Sequence, residues 1–135
     1  MWQDIVARRN PNRAALRSAL ARLFGVDEQA VMVVEDMLEV DESAKVVCHV
    51  LTTKGDFQVL LSIYNHVDMQ PDLRQGASDI AAAIGCGCLA DDGTDNPYTM
   101  LLVGEGATRR VSLDVEALDD ESYVLSNEPA GGGPA

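Results

Sequence analysis

The sequence predicts an α+β domain in which an antiparallel sheet carries two main helices, with elements in the order α-β-β-β-α-β-β-β. Two segments place apolar residues at helical spacing, and each is followed by a glycine, Gly25 or Gly85, of the kind that ends helices. The other apolar runs are short, rich in β-branched residues and separated by glycine-containing turns, which is the pattern of β-hairpins. Because hairpins pair strands antiparallel, two helices can cover one face of the sheet.

The first half of the chain is predicted to be helical as far as Gly25 and to form strands after it. Residues 2–9 are predicted as a short helix, and Asn10-Pro11 as the N-cap and first turn of a longer one. The apolar stripe of this longer helix is Leu16, Leu20, Leu23 and Phe24. Three later runs are predicted as strands: 30–34, 45–53 and 57–64. The last two are expected to form a hairpin through Lys54-Gly55-Asp56.

The second half is predicted to open with a helix that begins at Pro71-Asp72, ends at Gly85 and turns Ile80, Ala83 and Ile84 inward. Three short strands follow, over 98–103, 109–113 and 123–125, and residues 86–90 are a further candidate strand. The strands over 98–103 and 109–113 are expected to form a hairpin through Gly104-Glu105-Gly106. We predict one domain over residues 1–126 and a flexible tail, rich in glycine and proline, over 127–135.

Composition narrows the class of protein. The chain has 135 residues, of which 47% are hydrophobic, enough for a core without disulfides or metals to staple it. Its first residues lack the basic and then apolar pattern of a secretory signal, and its apolar runs stay well below the ~18 residues of a membrane span. The three cysteines cannot all pair within one chain, which indicates reduced thiols. A cytoplasmic protein is therefore expected.

The charge is unevenly distributed. Residues 1–24 contain five arginines and the single acid Asp4, whereas residues 25–135 contain five bases and 21 acids. An acidic body of this kind repels phosphates and attracts basic surfaces. The arginines have no interleaved aromatic residues, so nucleic acid is not an expected partner. Whether the arginine-rich helix packs on its own sheet or on a second copy, giving a homodimer, is left open by the sequence.

Candidate catalytic and metal residues form no recognised pattern. Cys86-Gly87-Cys88 together with Cys48 and either His49 or His66 would supply four metal ligands, but structural zinc sites separate their cysteines by two to four residues. Small thiols beside flexible glycines are the favoured interpretation. Cys86 has no basic neighbour in the sequence, and neither histidine lies in a nucleophile motif. We predict no catalytic residue, no metal and no cofactor.

The loop of residues 91–97 concentrates oxygen-bearing side chains. It lacks the alternation of acids and the distal glutamate of a calcium-binding EF-hand. Aspartate, glycine and Asn-Pro are all turn formers, so the segment is predicted as a turn.

The segment Asp91-Asp92-Gly93-Thr94-Asp95-Asn96-Pro97-Tyr98-Thr99-Met100-Leu101-Leu102, together with size, acidity and α+β make-up, resembles the bacterial immunity proteins that neutralise secreted toxins. This resemblance implies a non-enzymatic protein that binds a basic toxin, and it assigns no residue a role. The chain also resembles type III secretion chaperones in size, acidity and element order. Those chaperones usually finish with a third helix, and this chain is predicted to finish with a strand and a tail.

Acidic loops are the predicted contact surface for a basic toxin or effector, since toxins that act on nucleic acids carry basic sites. The residues assigned to it are Glu35, Asp36, Glu39, Asp41, Glu42, Asp91, Asp92 and Asp95. Two alternatives remain open: a dimeric secretion chaperone that grips an unfolded segment, and an enzyme or small-ligand-binding protein with a pocket that the sequence does not reveal.

Overall fold

The computed structural model describes residues 1–126 of the chain. Their strands are β1 (Gln3–Ala7), β2 (Val31–Val34), β3 (Val46–Thr52), β4 (Lys54–Gly55), β5 (Val59–Asn65), β6 (Cys88–Ala90), β7 (Thr99–Val103), β8 (Arg109–Ser112) and β9 (Ser122–Tyr123). Their α-helices are α1 (Arg13–Phe24), α2 (Leu73–Ile84) and α3 (Val115–Asp119). Seven strands form one sheet in the order β2-β3-β5-β1-β6-β7-β8, and β4 and β9 form a separate parallel pair. Only β2 and β3 pair parallel in the large sheet.

The predicted α+β class, with a mostly antiparallel sheet and two main helices, is confirmed. The β3–β5 and β7–β8 hairpins form as predicted. The turn between β3 and β5 contains a strand that the sequence did not reveal, since β4 pairs with β9. Gly55 is needed there because its φ is +97° and a Cβ would lie 2.5 Å from the carbonyl oxygen of Tyr123.

The predicted helix over residues 2–9 is wrong, because this segment is β1, a central strand of the sheet. It pairs with β5 on one side and with β6 on the other. Ile5 is buried against the helices on one face of the sheet, and Val6 is buried on the opposite face. A strand that is apolar on both faces shows no polar–apolar alternation, which is why the pattern did not indicate a strand.

The two main helices end where the sequence predicts. The start of α1 and the buried face of α2 differ from the prediction. Asn12, and not Asn10, caps α1, accepting a hydrogen bond from the backbone N–H of Ala15 at 2.9 Å. Asp72 caps α2 as predicted. Gly25 and Gly85 both adopt the left-handed conformation at the helix ends. The buried stripe of α2 is Gly76, Ala77, Ile80 and Ala81, with Ile84 partly buried beside it and Ala83 half-buried.

Packing differs between the two faces of the sheet. Helices α1 and α2 cover one face, where Trp2 meets Phe24 edge to face at 5.2 Å between ring centroids. On the other face, α3 and the β9 region cover the β1-β6-β7-β8 half, with Phe57 buried beneath them. The sequence did not reveal α3, because five residues span too few turns for a helical pattern. The predicted tail, 127–135, lies outside the described residues.

Among the described residues, no helix has both the length and the apolar character needed to cross a lipid bilayer.

Candidate functional site

The loop between β2 and β3 presents five exposed carboxylates, and we call residues 35–42 the acidic loop. Its predicted contact residues are all exposed: Glu35, Asp36, Glu39, Asp41 and Glu42. A short 3-10 turn over Met37–Glu39 shapes the loop, capped by Asp36, which accepts a hydrogen bond from the backbone N–H of Leu38 at 2.9 Å. Asp41 accepts one from Ser43, which lowers the pKa of the Asp41 carboxyl.

An apolar tip stands in the middle of the acidic loop. The Leu38 side chain is 92% exposed and that of Met37 is 41% exposed. Glu35 makes the loop's single ion pair within residues 1–126, with Arg13 at 3.3 Å, and its side chain is still 77% exposed. An unburied leucine surrounded by exposed carboxylates gives this loop both an apolar anchor and a negative field.

The loop of residues 91–97 is built differently, because one of its acids points inward. The Asp92 side chain is 1% exposed and forms an ion pair with Arg110 of β8 at 3.3 Å. It also accepts hydrogen bonds from Thr94, through the backbone N–H at 3.0 Å and the hydroxyl at 2.7 Å, and from the Thr99 hydroxyl at 2.5 Å. This placement does not support the predicted partner contact for Asp92, whose carboxylate holds the loop together. The prediction of a turn in this segment is in keeping with these bonds.

Asp91 and Asp95 remain exposed and line a cleft at an opening in the sheet. β6 pairs with β1 at Val6 and Ala7, and Asp4 lines the cleft just beyond this pairing. Gln3 also lines the cleft, and its buried Oε1 has no hydrogen-bond partner within residues 1–126. The cleft volume is about 490 Å³, and its apolar lining includes Val6, Leu60, Met100, Leu113, Leu118 and Tyr123.

A pair of thiols lies at the opposite end of β1. Cys86 is half-buried at a bend after α2, and Cys88 is fully buried at the start of β6. The Cys88 thiol donates a hydrogen bond to the carbonyl oxygen of Cys86 at 3.6 Å. The neighbouring Cys88 side chain, and then hydrogen bonding and positive charge from Arg9, lower the pKa of Cys86 to about 6 against the opposing effect of burial. The neighbouring Cys86 side chain and burial raise the pKa of Cys88.

Arg8 contacts the backbone and side chains around these thiols. The backbone N–H of Arg8 donates to the carbonyl of Gly87 at 3.0 Å, which prolongs the β1–β6 pairing. Its guanidinium lies 4.3 Å from the Phe57 ring centroid and holds Glu105 through two hydrogen bonds, at 2.5 and 2.9 Å. Glu105 in turn packs against Gly87, where a Cβ would fall 1.9 Å from its carboxylate.

The proximity of Arg9 to Cys86 is the main feature that the sequence analysis missed. Cys86 was expected to lack a basic neighbour because the two residues are far apart in the chain. With residues 2–9 predicted as a helix, nothing placed Arg9 beside β6. Recognising β1 as a strand would have been the necessary signal.

The other residues weighed as metal ligands are scattered. Cys48 lies on β3, three strands from Cys88 in the sheet, a separation of roughly 14 Å. Burial raises its pKa to about 12. His49 faces the acidic loop, with its Nε2 3.1 Å from the Glu35 carbonyl oxygen, and His66 follows β5. Residues 1–126 contain no group of three or more His, Cys, Asp or Glu side chains placed to hold a metal ion.

No protein-family model, no curated protein and no solved structure matches this chain.

Proposed function

We propose that this protein binds a basic protein partner and neutralises it, in the manner of an immunity protein, with the acidic loop as the principal contact. One observation carries the proposal: the Leu38 side chain is 92% exposed at the centre of a loop whose carboxylates are also exposed. The role requires no catalytic group from this chain.

Both features of the loop fit what a protein interface needs. Binding energy concentrates in a few residues that become fully desolvated, surrounded by a polar rim. Leu38 supplies the apolar anchor, and Glu39 and Glu42 belong to the rim. The carboxylates also increase the association rate with a basic surface by electrostatic steering. The matching partner surface is a small apolar pocket ringed by lysine or arginine.

Asp91 and Asp95, which line the cleft, form a second predicted contact surface for the partner. Four strand spacings separate β6 from β2, so this contact lies roughly 19 Å across the sheet from the edge that carries the acidic loop. Substitutions in the two loops therefore report on different surfaces and identify which of them the partner covers.

The test begins with co-expression of this protein and a candidate toxin encoded beside its gene. Protection from that toxin is the expected result, and a toxin that kills equally well in the presence of this protein would contradict the proposal. Leu38→Ala should then weaken the purified complex by about tenfold, which corresponds to about 1.4 kcal/mol. The matched control is Val115→Ala on α3, which truncates another exposed apolar residue, 47% exposed, away from the loop. An equal loss in both variants would exclude the acidic loop as the contact.

Salt dependence tests the role of charge. Raising the salt concentration from 0.1 M to 1 M shortens the Debye length from about 10 Å to about 3 Å. The association rate should fall steeply over this range, with a smaller change in the dissociation rate. Association that is indifferent to salt would show that the carboxylates do not steer the partner.

A further inference from the structure

Cys86 and Cys88 form a thiol pair that the proposed binding role does not use. We propose that they are a redox-active dithiol, in which Cys86 attacks a disulfide and Cys88 then resolves the mixed disulfide that results. The co-reactant is a low-molecular-weight disulfide of the glutathione class. The redox role is independent of the binding proposal.

The geometry divides the two roles between the two cysteines. Cys86 is half-buried and lines a surface cavity together with Arg8, Arg9 and Glu105, so a small disulfide can reach its sulfur. Cys88 is fully buried two residues further on, and its thiol lies 3.6 Å from the carbonyl oxygen of Cys86. A reagent from solvent therefore meets Cys86 first, and the nearest thiol to the mixed disulfide is Cys88.

Arg9 favours the thiolate at Cys86. Its guanidinium donates to the carbonyl oxygen of Gly85, the residue before Cys86, at 2.9 Å, and hydrogen bonding and positive charge from Arg9 lower the pKa of the Cys86 thiol. With a pKa of about 6, Cys86 is mostly thiolate at pH 7, whereas an ordinary thiol with a pKa near 8.5 is only a few per cent ionised.

The exchange proceeds in two balanced steps. The Cys86 thiolate attacks one sulfur of the disulfide RSSR, forming a Cys86–SR bond and expelling RS⁻, which takes a proton from solvent. Cys88 then loses its proton to solvent and attacks the Cys86 sulfur, which breaks the Cys86–SR bond, closes a Cys86–Cys88 disulfide and expels the second RS⁻, which takes up a proton in turn. Two protein thiols are oxidised, and one disulfide is reduced to two thiols.

The first step also prepares the second. The hydrogen bond and the charge of Cys86 are among the causes that raise the pKa of Cys88. Once Cys86 is bound to SR it carries no charge, so its electrostatic opposition to ionisation of Cys88 disappears. Cys88 is thus protected as a thiol in the reduced protein and becomes easier to ionise in the mixed disulfide.

Closure between residues two apart requires a compact backbone. A fully extended chain separates such Cα atoms by roughly 6.6–7.2 Å, at or beyond the upper end of the range that disulfides bridge. The bend at Cys86 and the absence of a side chain at Gly87 both favour a shorter separation.

The experiment exposes the reduced full-length protein to oxidised glutathione and maps the products by mass spectrometry. The wild type should lose two hydrogens from the peptide that contains Cys86 and Cys88. Cys88→Ser should accumulate glutathione on Cys86, and Cys86→Ser should react at least tenfold more slowly. Cys48→Ser, the matched control, should behave as the wild type because Cys48 is buried and its pKa is raised to about 12. Stable glutathione on wild-type Cys86, or a fully reduced protein, would overturn the proposal.

The pH dependence of alkylation tests the activation of Cys86. Its reaction with iodoacetamide should reach half its plateau rate near pH 6, where an ordinary thiol is about 0.3% ionised. Arg9→Met should move this midpoint upward. Arg17→Met is the matched control, because Arg9 and Arg17 both donate to a backbone carbonyl, of Gly85 and Glu28 respectively. An unshifted midpoint in Arg9→Met, or a wild-type midpoint near 8.5, would contradict the role of Arg9.

Discussion

The acidic loop and the loop of residues 91–97 have similar compositions and opposite constructions. In the first, five carboxylates are exposed around an exposed leucine. In the second, Asp92 is withdrawn from solvent and receives hydrogen bonds from two threonines and the charge of Arg110. Acidity alone therefore does not distinguish a contact surface from a structural turn.

Donors from neighbouring strands add to the hydrogen bonds that Thr94 makes to Asp92 within the second loop. Thr99 begins β7 and Arg110 belongs to β8, so the hairpin that follows the second loop supplies partners for its acid. The acidic loop lies beside the edge strand β2, and Arg13 of α1 is the one base that pairs with it among the described residues. A carboxylate that accepts hydrogen bonds and pairs with a base of its own chain stabilises the fold, whereas a carboxylate without an ion pair remains available to a partner.

The largest effect is expected from Asp92→Asn. This change removes the charge while keeping the shape, and it weakens three hydrogen bonds and one ion pair around a side chain that is 1% exposed. Hydrogen bonds to charged groups contribute about 1.5–3 kcal/mol, so the free energy of unfolding should fall by about 2 kcal/mol in urea titrations. Glu39→Gln in the acidic loop is the control and should change it by less than about 0.5 kcal/mol. Equal effects would remove the distinction between the two loops.

The contribution of Asp92 to the free energy of unfolding should also depend on pH. The hydrogen bonds from Thr99 and Thr94 and the charge of Arg110 lower the pKa of its carboxyl in the folded state against the opposing effect of burial. A lowered folded pKa stabilises the protein above the unfolded value, near 3.9, and this stabilisation is lost as the pH falls through the folded pKa. The stability difference between wild type and Asp92→Asn should therefore be full at pH 7 and shrink below pH ~4. A difference that is constant down to the lowest pH would show that charge is not its source.

A smaller loss of stability than that of Asp92→Asn is expected from Glu105→Gln. The Glu105 carboxylate receives two hydrogen bonds from Arg8, which lower its pKa, and it is 33% exposed, between the extremes of the two loops. We expect a loss of about 1 kcal/mol, since a bidentate pair of intermediate exposure lies near the upper end for surface ion pairs. Glu42→Gln, at an exposed position of the acidic loop, is the control. A loss as large as that of Asp92→Asn would show that exposure does not rank these carboxylates.

The sequence predicted the elements whose patterns are local. The hairpins, the two main helices and their terminal glycines follow from periodicity and turn residues within a few positions of one another. The strand β1 was missed because Ile5 and Val6 are buried on opposite faces, so the segment lacks alternation. Helix α3 was missed because it is a single turn capped by Asp114.

The sites depended on pairings that no local pattern contains. Arg9 reaches Cys86 through the pairing of β1 with β6, and the Asp92 side chain meets Arg110 because β8 lies beside the loop. The five acids of the acidic loop, predicted as contact residues, are all exposed. The exposed position of Leu38 required the three-dimensional structure.

The smallest effect on stability is expected from Arg13→Met, at the point where α1 meets the acidic loop. The Arg13–Glu35 pair is exposed and 3.3 Å long, and such pairs contribute about 0.2–1 kcal/mol. Stability should therefore change little, while removal of a positive charge beside the loop should increase the association rate with a basic partner. Arg22→Met, at the other end of α1, is the control because Arg22 is exposed and makes no ion pair within residues 1–126. Stopped-flow measurements at low salt should therefore give the order Arg13→Met, then Arg22→Met, then wild type. The opposite order would mean that the arginine-rich helix, and not the acidic loop, meets the partner.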